Sequence, residues 1–219
     1  MLAQAPRIMN ARSVDDHGQT HQVVPAVFAA SQPHQVQFFH ANNEIYAQGE
    51  QAKALYQIEF GAVRIYRLLA DGRRQISAFH VAGEVFGFEA DGRHHFFAEA
   101  ICGSAIRIYR LPVGADVSRE ILPVALKALV RAQEHLLVVG RQSASERVAA
   151  FLLDMMERQG DLPSIELPMS RTDIGDYLGL TIETVSRVFS KFREKGYIHL
   201  TGARTVDIMK AEALGDMCS

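Results

Sequence analysis

Cysteine is nearly missing from this chain. Cys102 and Cys218 are the only two in 219 residues, and they lie far apart. A thiolate-held iron–sulfur cluster normally takes about four cysteines, so one chain cannot supply it. No paired-Cys zinc spacing is present either. Long apolar runs are also lacking. None approaches the ~20 residues needed to span a bilayer. The N-terminal MLAQAPRIMNARSVDDHGQT has no signal-peptide core. These two absences predict a cytoplasmic protein with no membrane partner. Charge of one sign is lacking too: 23 Lys and Arg face 25 Asp and Glu, for a net charge of −2. That argues against coating nucleic acid non-specifically but leaves room for a local basic surface. What remains is ordinary for a soluble protein, 48% hydrophobic and 22% charged, which excludes a disordered chain, a collagen and a small disulfide scaffold. The length allows one large domain or two of about 100 residues.

Residues 1–25 are polar and aperiodic, and predict a flexible arm, with a short helix near Val23–Ala30. From Val36 to Leu111, short runs of Val, Ile, Phe and Tyr alternate with turn residues. Gly49, Gly61, Gly72 and Gly83 recur about every 11 residues, the spacing of an antiparallel sandwich or barrel. Asp71-Gly72 and Asp91-Gly92 read as hairpin turns. A β-roll or jelly roll fits. The pattern then turns helical. Leu122, Leu129 and Leu136 fall seven apart, with Ala125, Ala132 and Val139 as a second seam. This heptad stripe predicts a homodimer interface on a long helix, the alternative being a helix packed on its own β-roll. A second apolar helix opens at Ser145-Glu146-Arg147-Val148. Gly160 to Pro168 reads as a linker or short wing.

The segment after Pro168 carries the chemistry. Ser170 can cap a helix Arg171–Leu178, with Asp173 at its positive end. Gly179 stops that helix, and Thr181 can cap a second, Ile182 to about Lys195. Helix, short turn and helix make a helix-turn-helix. On the second helix, Val185, Val188, Phe189 and Phe192 should face the core. Glu183, Ser186, Arg187 and Ser190 form the opposite face, near the N-terminus, where a recognition helix meets base edges. Arg187 can reach guanine O6 and N7, and Glu183 can accept from a cytosine amino group. Ser186 leaves room beside a thymine methyl. Ser170, Arg171, Thr181, Thr184, Ser190 and Lys191 are the expected contacts to the DNA backbone. From Arg187 to Arg204 there are five Lys and Arg against the single acid Glu194, a phosphate-contact surface. A hairpin follows, Tyr197–Leu200 and Thr205–Ile208, as a wing. Sequence-specific binding to double-stranded DNA is the expected function.

The run from Ser170 to Arg187, SRTDIGDYLGLTIETVSR, resembles the helix-turn-helix of the CRP/FNR superfamily of bacterial transcription regulators. Ser145–Leu152 resembles the end of that family's dimer helix, and Phe79–Phe88 resembles its β-roll. The resemblance implies an α+β chain. Residues 1–25 would be the arm and 26–116 a jelly-roll β-roll of the cyclic-nucleotide-binding kind. Residues 117–141 would be the dimerisation helix and 142–219 a winged helix-turn-helix. Glu183, Ser186 and Arg187 are similar to the FNR type, which reads TTGA paired with TCAA. The cAMP-receptor type differs at the positions of Ile182 and Ser186. The family also implies recruitment of RNA polymerase as an activator, with contact at the hairpin of Asp71, Gly72 and Arg73. No N-terminal cysteine cluster is present. The stretch Phe88–Glu99 has no Arg-Ser pair for a cyclic phosphate and carries bulky Phe96 and Phe97. No cofactor, no metal and no enzyme activity are expected, and loss of both sensor parts resembles the FixK subgroup, which acts in microaerobic and nitrogen-fixation control.

Two alternatives share these residues. One is a sensor of the same architecture gated by haem or a small molecule, with His17, His21, His34 and His40 as candidates. The other is a cupin-like metal enzyme fused to a DNA-binding tail, with His94, His95 and Glu99 as ligands. Against the second, His94 and His95 read better as part of a polar loop. Cys102 reads as a buried small hydrophobe, and Cys218 as an exposed terminal thiol that is unused rather than oxidised or paired with another chain.

Overall fold

Strands fill the first half of the chain. The computed structural model describes residues 12–14, 20–22, 35–110, 118–140 and 143–218. Within the expected arm, β1 (Arg12–Val14) and β2 (Thr20–Gln22) pair antiparallel. The other residues of 1–25, the helix expected near Val23–Ala30, and His17 and His34 lie outside the described residues.

Eight strands then form two four-stranded sheets. These are β3 (Gln35–Phe39), β4 (Glu44–Tyr46), β5 (Ala54–Phe60), β6 (Ala62–Leu68), β7 (Arg74–Val81), β8 (Val85–Phe86), β9 (Phe97–Ala100) and β10 (Ser104–Arg110). One sheet runs β3-β10-β5-β8 and the other β4-β9-β6-β7, so consecutive strands cross between sheets as in a β-roll, except at the β6–β7 hairpin. Ile58, Val63, Ala98, Ala100 and Ile106 are fully enclosed between them. Asp71-Gly72 closes the β6–β7 hairpin as expected, with the Asp71 carboxylate accepting from Arg73 N at 3.0 Å. Asp91-Gly92 corrects the sequence reading. It lies between β8 and β9, which belong to different sheets, so it is a turn within a crossover loop and not a hairpin.

Helix α1 (Ser118–Val139) follows, with Pro123 in it. Its inner side packs Ile121 beside Leu55 and Tyr109, and Val138 against the core around Phe151 and Leu152. Its outer side is apolar and open: Leu122, Leu126, Leu129, Val130, Leu136 and Leu137 are all exposed, the last two at 71%. Of the heptad positions, Ala132 is exposed, whereas Ala125 and Val139 are half-buried at the flank. Helix α2 (Ala144–Arg158) is capped by Ser143, whose Oγ accepts from Glu146 N at 3.2 Å. It buries Val148, Ala149, Phe151, Leu152 and Met155.

The last third holds β11 (Ser164–Glu166), α3 (Arg171–Leu178), α4 (Ile182–Glu194), β12 (Ile198–Leu200), β13 (Thr205–Ile208) and α5 (Ala211–Asp216). The Gly160–Pro168 segment is more than a linker, because β11 pairs with β13 and makes the wing a three-stranded sheet, β11-β13-β12. Phe192, Ile174, Leu178, Val185, Ile165 and Ile198 pack on α2. The same core continues into the roll through Ala62, Ile76, Phe79 and Ile101. The DNA-binding unit is thus packed directly on the β-roll. No helix among the described residues is long and apolar enough to cross a membrane.

Candidate nucleic-acid interface

Helix α3 is fixed at both ends by its own sequence. Ser170 Oγ accepts from Asp173 N at 3.0 Å, and the Asp173 carboxylate accepts from Ser170 N at 3.1 Å, a reciprocal capping box. At the other end Gly179 takes φ 65°, a left-handed cap that other residues reach only with strain. Leu180 N then donates back to Gly175 O at 2.9 Å. A Cβ on Gly175 would stand 2.6 Å from Leu180 O, so the tight turn requires glycine there as well.

Thr181 caps α4 by accepting from Thr184 N at 3.3 Å. The two faces of α4 separate as the sequence predicts. Val185, Val188, Phe189 and Phe192 are buried, while Glu183, Ser186 and Arg187 are exposed and Ser190 is half-buried. Arg187 Nη2 donates to Thr184 Oγ1 at 3.3 Å, which holds the guanidinium along the helix start. Its own backbone N–H and the Thr181 hydroxyl, with Arg187 nearby, lower the pKa of Glu183 below the usual range. Glu183 therefore presents an ionised acceptor beside a cation. That combination suits a cytosine amino group next to a guanine.

Cations flank this helix. Arg187, Lys191, Arg193, Lys195 and Arg204 have no carboxylate within ion-pair distance among the described residues. Lys191 Nζ stands 3.5 Å from Ser145 Oγ. Arg171 behaves differently from a free surface arginine. Its guanidinium lies 3.2 Å over the Phe189 ring, and burial lowers its pKa to about 10. The stack aligns Arg171 with Ser170 and the wing residues Gly202, Ala203 and Arg204, which line one cleft.

Sequence reasoning missed how α3 is held from behind. Arg64, inside the buried strand β6, donates from Nη1 to the Asp173 carboxylate at 3.2 Å. Arg74 reaches the same carboxylate at 3.2 Å, and Gln75 Nε2 donates to Asp176 O at 3.0 Å. From α1, the His135 ring stacks on Tyr177 at 3.8 Å. The available signal was an arginine in the otherwise apolar run Ala62–Tyr66.

Three sequence readings need correction, at His94, Cys218 and Cys102. His94 does lie in the loop between β8 and β9, but it is buried there: it is 2% exposed, stacked 3.6 Å from the Tyr46 ring, with Nδ1 3.2 Å from Glu89. Burial of the stacked rings outweighs the polarity of its neighbours. His95 points the other way and meets Asp91 at 3.0 Å in solvent. The two histidines thus diverge, whereas a cupin centre needs them to converge. Glu89, Asp91 and His95 are grouped within 4.8 Å on the surface, and Glu99 is engaged elsewhere, with Arg64 and Tyr66. Cys218 is half-buried rather than exposed, its Sγ 3.8 Å from Glu146 O, because the chain end folds back on α2. Cys102 is half-buried rather than buried, packed against the core that α2 shares with the roll. The hairpin residues Asp71, Gly72 and Arg73 are exposed.

Comparison with known proteins agrees with this geometry. Residues 146–217 match a Crp-like helix-turn-helix domain, and residues 36–115 match a cyclic nucleotide-binding domain. The chain is 56% identical over 189 residues to the nitrogen fixation regulation protein FixK of Rhizobium meliloti, covering 86% of this chain and 90% of that one. It is 32% identical to the fumarate and nitrate reduction regulatory protein of Salmonella typhimurium, over 78% of this chain and 73% of that one. Its fold matches the structure of FixK2 from Bradyrhizobium japonicum with a TM-score of 0.80 at 40% identity, covering 85% of this chain and 98% of the other. The chain belongs to the CRP/FNR family of DNA-binding transcription regulators, in its FixK-like branch, and is not an enzyme.

Proposed function

We propose that this regulator binds a TTGA/TCAA palindrome as a homodimer and activates transcription in nitrogen-fixation gene control, as the names of its relatives suggest. One observation carries the reading: Glu183, Ser186 and Arg187 stand together on the open face of α4, while the opposite face is buried. Arg187 reads the guanine, Glu183 the paired cytosine, and Ser186 a neighbouring thymine. Ser170, Arg171, Thr181, Thr184, Ser190 and Lys191 contact the backbone on either side. The dimer forms through α1, where Leu122, Leu129 and Leu136 meet their copies, with Ala125, Ala132 and Val139 at the flank. Leu126, Val130 and Leu137 widen that seam. Solvent-exposed apolar side chains in such number call for a covering partner. Two α4 helices related by two-fold symmetry then meet half-sites one helical turn apart, roughly 34 Å.

No small ligand is needed in this reading. Tyr46, Tyr56, Phe86 and His94 stack within the roll, with Tyr46 and Tyr56 5.3 Å apart, as are Tyr56 and Phe86. Phe97 stacks on Tyr66 at 5.3 Å and Arg67 covers Phe96, where a cyclic phosphate would need room. Asp71, Gly72 and Arg73 touch RNA polymerase from their exposed hairpin. The test is transcription in vitro by purified RNA polymerase, from a promoter bearing the palindrome upstream. Ligand-free protein should raise transcript yield, and substitution of the palindrome should remove the gain. Equal yield with and without the protein would contradict the activator reading.

A further inference from the structure

Arg64 is 6% exposed, in a strand whose neighbours Ala62, Val63, Ile65 and Tyr66 are also buried. A guanidinium stripped of water needs partners that replace its hydration. It has three. Asn42 accepts from Nη2 at 3.0 Å, and Glu99 accepts from the same nitrogen. Both belong to the β-roll. The third, Asp173, belongs to α3 of the DNA-binding unit and accepts from Nη1 at 3.2 and 3.4 Å. Asp173 is also the residue that closes the capping box of α3. The salt link and the helix start therefore share one carboxylate.

Helix α3 is held from two sides, by Arg64, Arg74 and Gln75 of the roll and by the His135 ring of α1. Its last turn passes through Gly179-Leu180-Thr181 straight into α4. The direction in which α4 is presented is thus set where α3 is gripped. We propose that Arg64 is a positioning residue for operator recognition: it fixes the angle between each α4 and the dimer helix, and so the half-site spacing that the dimer accepts. This rests on the dimeric reading above.

The physical reason is one of ordering. Two rigidly held units meet both half-sites without further loss of freedom, so the second contact is effectively intramolecular. A loosened unit keeps its base-reading face, because Arg64 bonds to Asn42, Glu99 and Asp173 and not to α4. It still binds one half-site normally. It gains less from the second half-site and tolerates wrong spacings better.

The test uses purified full-length Arg64→Met and Arg64→Lys. A double variant, Arg64→Met with Glu99→Gln, leaves no unpaired charge, because Arg74 still pairs with Asp173. Circular dichroism and light scattering establish that each is folded and dimeric. Anisotropy is then read on three labelled duplexes: the palindrome, the palindrome with one base pair inserted between half-sites, which separates them by a further ~3.4 Å, and a single half-site. Affinity of the Met variants for the palindrome should fall about tenfold, with half-site affinity kept within about twofold. Preference over the inserted spacing should shrink by the same factor, and Arg64→Lys should recover part of it. Equal losses on palindrome and half-site, or an unchanged spacing preference, would overturn the inference alone. A wild-type protein that binds palindrome and half-site equally would overturn the dimeric reading, and the inference with it.

Discussion

Glu84 and Arg158 form an ion pair at 2.8 Å with both side chains almost wholly enclosed. The pair joins the turn between β7 and β8 to the last turn of α2. Arg158 Nη2 also donates to Phe79 O at 2.5 Å, while Glu84 accepts from Arg131 of α1 at 2.5 Å and meets His80 at 3.3 Å. Roll, α1 and DNA-binding unit thus converge on one carboxylate. Its loss would remove the carboxylate that Arg131 meets and leave Arg158 with Asp154, at 3.1 Å, as its ion-pair partner. Glu84→Gln should destabilise the protein by about 3–5 kcal/mol, read from urea denaturation followed by circular dichroism.

That carboxylate also predicts an acid response. Burial alone would push the Glu84 pKa up, but the His80 hydrogen bond and the charges of Arg158, His80 and Arg131 outweigh it and hold it well below the usual carboxylate range. A carboxyl depressed on folding gives stability that is full above its unfolded pKa, about 4.3. The contribution is lost as pH falls from there through the folded value. Unfolding free energy should therefore drop more steeply below about pH 4 in the wild type than in Glu84→Gln.

His135 acts at milder pH. Its burial against Tyr177 disfavours the imidazolium and lowers its pKa. For a base, a lowered folded pKa means stability that is full above the unfolded value of about 6.5 and lost as pH falls below it. His135→Phe keeps a ring for Tyr177 and removes the titration. The fall in Tm between pH 7.5 and 5.5 should be smaller in that variant than in the wild type.

On the interface, Arg187→Ala should weaken palindrome binding by about 1–3 kcal/mol and relax the choice of base at the guanine position. Lys191→Ala should weaken binding to all sequences alike and reduce the salt slope by about 1. Anisotropy titrations at several salt concentrations separate the two effects.

Leu129→Asp, in the middle of the open face of α1, should give monomers by light scattering. Palindrome affinity should fall about 100-fold or more, because the second half-site no longer binds intramolecularly. Retention of a dimer with unchanged affinity would place the partner surface elsewhere.

Much of this molecule was readable before its structure. The helix-turn-helix was legible because its signals are local: Ser170 and Asp173 cap, Gly179 stops, Thr181 restarts, and the period-3.6 pattern separates the two faces of α4. The roll was legible from spaced turns. What could not be read was long-range. Arg64 and Asp173 lie 109 positions apart, and neither residue alone announces the other. The loop around His94 was legible but the burial of its ring was not, because that depends on Tyr46 of a separate strand. Asp91-Gly92 carried the local chemistry of a hairpin, but its flanking strands join different sheets. The exposed face of α1 was visible as a heptad, yet its true width, with Leu126, Val130 and Leu137, follows from where the roll leaves the helix uncovered.

The most direct test of this account is fluorescence anisotropy of the ligand-free wild-type protein in air at fixed salt. One labelled duplex carries TTGA and TCAA, and the competitor carries TGTGA and TCACA. The account predicts tight binding to the first and clear preference over the second, with no nucleotide, metal or reductant added. No preference between the two, with or without reductant, would contradict the assignment of Glu183, Ser186 and Arg187 as the residues that read the operator.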